Sequence, residues 1–220
     1  MPLGPMKALE FAHTAISVTT AQIDDEIRAA TSPEVAVALR ERVRFLASFV
    51  HVHVTGEEQA LYPPLAAKVP YIESTFLVDH RDEEQLYVEL EGEIGHCADA
   101  GTGASLEHLR RQVAILRAIS DSHIKKENQI VLPLVGEHFA IDEQAAMLQG
   151  ILAVVPREQM PRVVPWLVSC QPPPAAVAYV NAIAQAMPPP VFAAARGWIQ
   201  GGVTAERWTH LCEHVPALRG

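Results

Sequence analysis

Six side chains of types that ligate transition metals are drawn together by their spacing. His53 stands four residues before Glu57, and His123 four residues before Glu127. On an α-helix, positions i and i+4 lie one above the other on the same face, so each His–Glu pair points at one place. The pairs belong to an internal repeat in which His53-x3-Glu57-Glu58-Gln59-x3-Pro63 matches His123-x3-Glu127-Asn128-Gln129-x3-Pro133. His13 and His80 precede His53 and His123 by 40 and 43 residues, so each half of the repeat supplies one histidine and one His-x3-Glu. One such pair is a weak signal, but two in register are a strong one. Four imidazoles and two carboxylates suit a pair of borderline ions such as iron, with each carboxylate bridging both.

Such a set needs helices to carry it. Leu9, His13, Ile16, Thr20, Ile23 and Ile27 recur at steps of four and three, as do Leu39, Val43, Leu46, Val50, His53 and Glu57. A third stripe runs Phe76 or Leu77, His80, Glu83 or Glu84, Tyr87, Leu90 and Ile94. A fourth runs Leu109, Val113, Leu116, Ser120, His123, Glu127, Ile130 and Leu134. This is helical periodicity, and no segment alternates as a strand does. Ser32-Pro33-Glu34 is a good helix start, and Gly101-Thr102-Gly103 a break. The expected fold is all-α, an antiparallel up-down four-helix bundle over residues 1–140. Each stripe carries a histidine at a core position, and two carry a glutamate one turn later. Burying a carboxylate without a partner costs several kcal/mol, so Glu57 and Glu127 call for a cation.

The ligand pattern over about residues 6–140 resembles the hemerythrin-like (HHE cation-binding) family. The resemblance implies a non-haem di-iron site in which His13 and His53 bind one iron and His80 and His123 the other. Glu57 and Glu127 would bridge the two, together with an oxo or hydroxo group. Oxygen-carrying hemerythrins have a further histidine one turn after the one on the third helix. Here that position is Glu84, which argues against reversible oxygen carriage and makes Glu84 a candidate carboxylate ligand. The family includes peroxide-decomposing, NO-responsive and iron-sulfur-repair proteins, so the implied ligands are O2, peroxide or NO. Three roles follow as expectations. They are a di-iron oxidoreductase or scavenger, an iron or oxygen sensor whose folding depends on the metal, and a storage or oxygen-binding module. The ligand set accepts a manganese–iron pair as well.

The remaining candidates have plainer readings. His51 lies two residues from His53 and so points away from the site. His96, His108, His138, His210 and His214 read as surface or structural residues. Tyr62 and Tyr87 are placed where they could lie near the irons, but the packing reading is preferred for both; Cys97, Cys170 and Cys212 read as small hydrophobes. Residues 141–220 hold 10 of the 17 prolines and balance their charges, whereas residues 1–140 carry the whole net charge of −9. Proline interrupts helices, so this part reads as a small all-helical extension of short segments. They are expected over 144–170, 175–187 and 191–198 and after the N-cap Thr204. All three tryptophans, Trp166, Trp198 and Trp208, fall here. The extension resembles those that follow hemerythrin domains in plant BRUTUS-type iron regulators. Its expected role is to cover the bundle or to form a homodimer or protein contact. The negative charge argues against binding nucleic acid or an anionic membrane. With no signal-like or membrane-spanning apolar run, the expectation is a cytoplasmic protein.

Overall fold

The computed structural model describes residues 4–32, 34–100 and 103–219. The expected Pro33 helix start and the Gly101-Thr102 break lie outside them. Among the described residues there are helices and turns but no strands. Four long helices, α1 (Leu9–Ala29), α2 (Glu34–Ala60), α4 (Glu73–Ala100) and α5 (Gly103–Lys126), carry the four stripes, with the short α3 (Tyr62–Lys68) between the middle two. No helix among the described residues is long and apolar enough to cross a membrane.

Side-chain pairs fix how these helices run. Asp24 of α1 takes Arg117 of α5, while the carbonyls of Ile27, further along α1, and Ala30, just past its end, take Arg110, which is earlier on α5. Residue numbers rise on one helix as they fall on the other, so the two are antiparallel. The same holds for α2 and α4, where Arg44 pairs with Glu91 and His51 with Glu84. It holds again for α4 and α5, where Ser120 donates to Glu83 and Lys126 pairs with Asp79. The core faces are those the periodicity marks. Leu39, Val43, Leu46 and Val50 of α2, Phe76, Tyr87, Leu90 and Ile94 of α4, and Leu109, Val113 and Leu116 of α5 are all buried.

The fourth stripe departs from expectation at its end. After α5 the chain makes one π-helical turn, Glu127–Val131, before resuming as α6 (Leu132–His138). The amide of Leu132 reaches back five residues to the Glu127 carbonyl. The wider turn rotates everything beyond it, so Val131, Leu132 and Val135 enter the core while Ile130 is 44% exposed.

Contacts divide the chain into two compact units. One comprises Met1–Lys7 and Ile16–Val154, the other Ala8–Ala15 and Val155–Gly220. The change of composition near residue 140 is therefore not the limit of the first unit, because α7 (Ile141–Ala153) packs on α2. Glycines allow the approach: a Cβ on Gly56 would meet Ile151 at 2.9 Å, and one on Gly150 would meet the Ala60 Cβ at 2.6 Å. The segment expected over 144–170 is divided by Pro156, with α7 before it and α8 (Met160–Cys170) after.

In the second unit, α9 (Pro173–Ala186) and α10 (Pro189–Gly202) open on prolines, where the missing amide costs nothing. Thr204 caps α11 (Ala205–His214), accepting a hydrogen bond from the Arg207 amide at 3.2 Å. Val164, Val168, Val180, Phe192, Ile199 and Leu211 form a core of their own, with Trp198 and Trp208 packed against it. Residues 8–15 join this unit through Phe11, whose carbonyl accepts from Gln171 and whose ring lies 5.0 Å from that of Tyr179.

Candidate metal centre

His53 and Glu57 project from the same face of α2, with Nε2 of the histidine 3.2 Å from Oε1 of the glutamate. One helix away, His123 Nε2 lies 3.4 Å from Glu127 Oε2. His80, from α4, enters between them, its Nε2 3.7 Å from Glu57 and 3.9 Å from Glu127. Glu57 and His80 are 0% exposed, and Glu127 and His13 1%. Two sets of ligand atoms lie mutually within 4.8 Å. One is His13, His53, Glu57 and Glu127; the other is Glu57, His80, His123 and Glu127. The sets share both carboxylates.

The other ring nitrogen of two histidines is occupied by a carboxylate. His80 Nδ1 lies 2.9 Å from Glu58 Oε1, and His123 Nδ1 lies 3.4 Å from Asp79 Oδ2. A carboxylate cannot donate, so each Nδ1 carries a hydrogen toward it and each Nε2 faces the shared glutamates. Carboxylate–histidine pairs of this kind orient metal ligands and raise their basicity. Neither His80 Nε2 nor His123 Nε2 makes a hydrogen bond. A pair of cations between the shared carboxylates would satisfy both, so the donor set fits metal ions.

Electrostatics in this pocket are unbalanced as the side chains stand. Burial disfavours a charge on His80, but Glu127, Glu57 and Glu58 overcome it and raise its pKa to about 9. His123 goes the other way, lowered by burial and by the neighbouring His80 against the pull of Glu127 and Asp79. Tyr62 enters from α3, and its hydroxyl donates to Glu127 Oε1 at 2.5 Å. Burial, reinforced by Glu127 and Glu57, keeps that phenol protonated. Tyr62 is thus bonded to a candidate ligand, beyond the packing role its sequence position suggests. Only its place three residues beyond the Glu58-Gln59 of the repeat hinted at proximity. Phe49 stacks beside His53, and Phe76 meets His123 edge-on, so the pocket walls are aromatic.

Glu84 is not among the gathered residues. It is half-exposed and bonded to His51 Nδ1 at 2.6 Å. Its neighbour Glu83, three rather than four residues after His80, is the buried one. Burial lifts the Glu83 pKa to about 7 against the hydrogen bond from Ser120. Both carboxylates follow His80 by about one turn, and Glu83 is the one that faces α5, where Ser120 donates to it. Glu83 also lies outside both ligand sets.

Residues 5–135 match the hemerythrin HHE cation-binding domain. The zinc finger protein BRUTUS of Arabidopsis thaliana is 29% identical over 131 residues, covering 60% of this chain and 10% of that protein. A BRUTUS-like zinc finger protein of the same plant is 26% identical over 180 residues, covering 76% of this chain and 14% of its own. The second match is longer than the cation-binding domain, so it runs into residues beyond 135. This chain therefore spans only a small part of these relatives. No solved structure matches it significantly.

Proposed function

The chain belongs to the hemerythrin HHE cation-binding family, and from that premise we propose that its bundle holds two non-haem irons and reacts with O2, peroxide or NO. The observation that carries this reading is the sharing of Glu57 and Glu127 by two four-residue ligand sets. In the proposed assignment, His13 and His53 serve one ion, His80 and His123 the other, and the glutamates bridge them. Iron held by these residues would supply the redox change.

The chain's own groups do the rest. Glu58 and Asp79 hold the imidazoles of His80 and His123 with Nε2 turned inward. Tyr62 keeps a proton on its hydroxyl and, by donating it to one Glu127 oxygen, fixes the orientation of the carboxylate. Phe49 and Phe76 keep water from the histidines. A dry, preorganised pocket of this kind controls which small molecules reach a metal and in what geometry.

A second reading, a metal-dependent folding switch without turnover, is favoured by the complete burial of Glu57 and His80. Ligands that cost several kcal/mol to bury unpaired tie the fold to the ion. Rapid mixing of the reduced, iron-loaded protein with O2, peroxide and NO separates the two. The reactive centre proposed here changes its near-ultraviolet absorption with at least one of them. Silence toward all three would reject reactivity and leave the switch.

A further inference from the structure

The second unit carries a cluster of donors that the bundle centre does not use. His210, Glu213 and His214 lie on α11 at positions i, i+3 and i+4, hence on one face, and offer ligand atoms within 4.8 Å of one another. The two imidazole rings stand 4.4 Å apart. His214 Nδ1 lies 2.9 Å from the carbonyl oxygen of His210. A carbonyl only accepts, so Nδ1 bears the hydrogen and Nε2 keeps the lone pair. That is the backbone-oriented tautomer common among metal-bound histidines.

We propose that His210, Glu213 and His214 form a separate surface site for a divalent transition cation of the zinc class. Two imidazole nitrogens and one carboxylate oxygen make a ligand set that suits Zn2+ with a position left for water. The site lies in the last turn of α11, which ends at His214. The negative, C-terminal end of the helix macrodipole lies there and favours a cation. Arg219, the nearby guanidinium, is engaged by the backbone carbonyls of Cys212 and Glu213 rather than by the Glu213 carboxylate. Zinc would draw the three donors to roughly 2.0–2.2 Å. Glu213 and His214 are exposed and His210 half-buried, so the ion exchanges with solvent.

The test is a Zn2+ titration, by calorimetry, of the full chain with its bundle first loaded with iron and without an affinity tag. The wild type takes up one Zn2+ per chain beyond its iron. His214→Ala weakens that uptake by at least about tenfold, the lower end of what even a ligand's outer partner is worth. Glu213→Gln weakens it less, and both variants keep the iron content and helical circular dichroism of the parent. Cu2+ substituted at the site gives an electron paramagnetic resonance signal split by two imidazole nitrogens, which His210→Ala reduces to one. No extra Zn2+ in the wild type, or uptake that His214→Ala leaves unchanged, overturns the proposal.

Discussion

The oxygens of Glu57 and Glu127 decide what the bundle is for. A buried carboxylate costs several kcal/mol, far more than the roughly 1 kcal/mol that an ordinary hydrogen bond returns. The protonated His80 between them offsets only part of this, and its placement in the seam serves no packing purpose that leucine would not serve better. Tyr62 gives a sharper handle, because its hydroxyl bonds to Glu127 alone among the gathered carboxylates. Tyr62→Phe keeps the ring against Phe76 and His80 but frees one Glu127 oxygen to turn. We expect the variant to keep its helical content, to lose about 1–3 kcal/mol in denaturant unfolding, and to show a shifted metal-to-ligand absorption. An unchanged spectrum would mean that Tyr62 merely packs.

At the scale of elements, the stripes were legible because each ligand sits at a core step of its helix. Spacing alone marks His13, His53, Glu57, His80, His123 and Glu127 as candidates, and the structure gathers them in two sets. The π-turn after Lys126 carries no such mark, because Glu127-Asn128-Gln129-Ile130-Val131 is as compatible with α-helix as its neighbours. Only packing of the following residues selects the wider turn, which is where such turns often mark functional sites. Glu83 and Glu84 were indistinguishable for a similar reason, since both lie within one turn of His80. The place of α7 was hidden by proline counting, which says where helices stop but not what they lie against. Its contact with α2 rests on Gly56 and Gly150, and this yields a prediction whose sign is not obvious. Alanine is a better helix former than glycine by about 1 kcal/mol. Gly150→Ala nevertheless destabilises, by about 1–3 kcal/mol, because its Cβ would meet the immobile Ala60 Cβ at 2.6 Å. Gly92→Ala on α4, with nothing within 4 Å, stabilises instead. Denaturation midpoints that moved in the same direction for both would refute the close approach of α2 and α7.

For the molecule as a whole, the account joins a cation-binding bundle to a second compact unit with its own core. In the proposed reading, the bundle's stability is tied to its ions. Ligands gathered from four helices repel or desolvate one another when the metal is withdrawn, and binding free energy becomes folding free energy. The most direct measurement is therefore metal content after anaerobic loading with ferrous iron, followed by thermal unfolding before and after chelation. The account predicts two irons per chain, one for each ligand set, and a lower unfolding temperature once they are removed. Glu57→Ala would retain neither ion. A chain that takes up no iron, and melts at the same temperature with or without chelator, would contradict it.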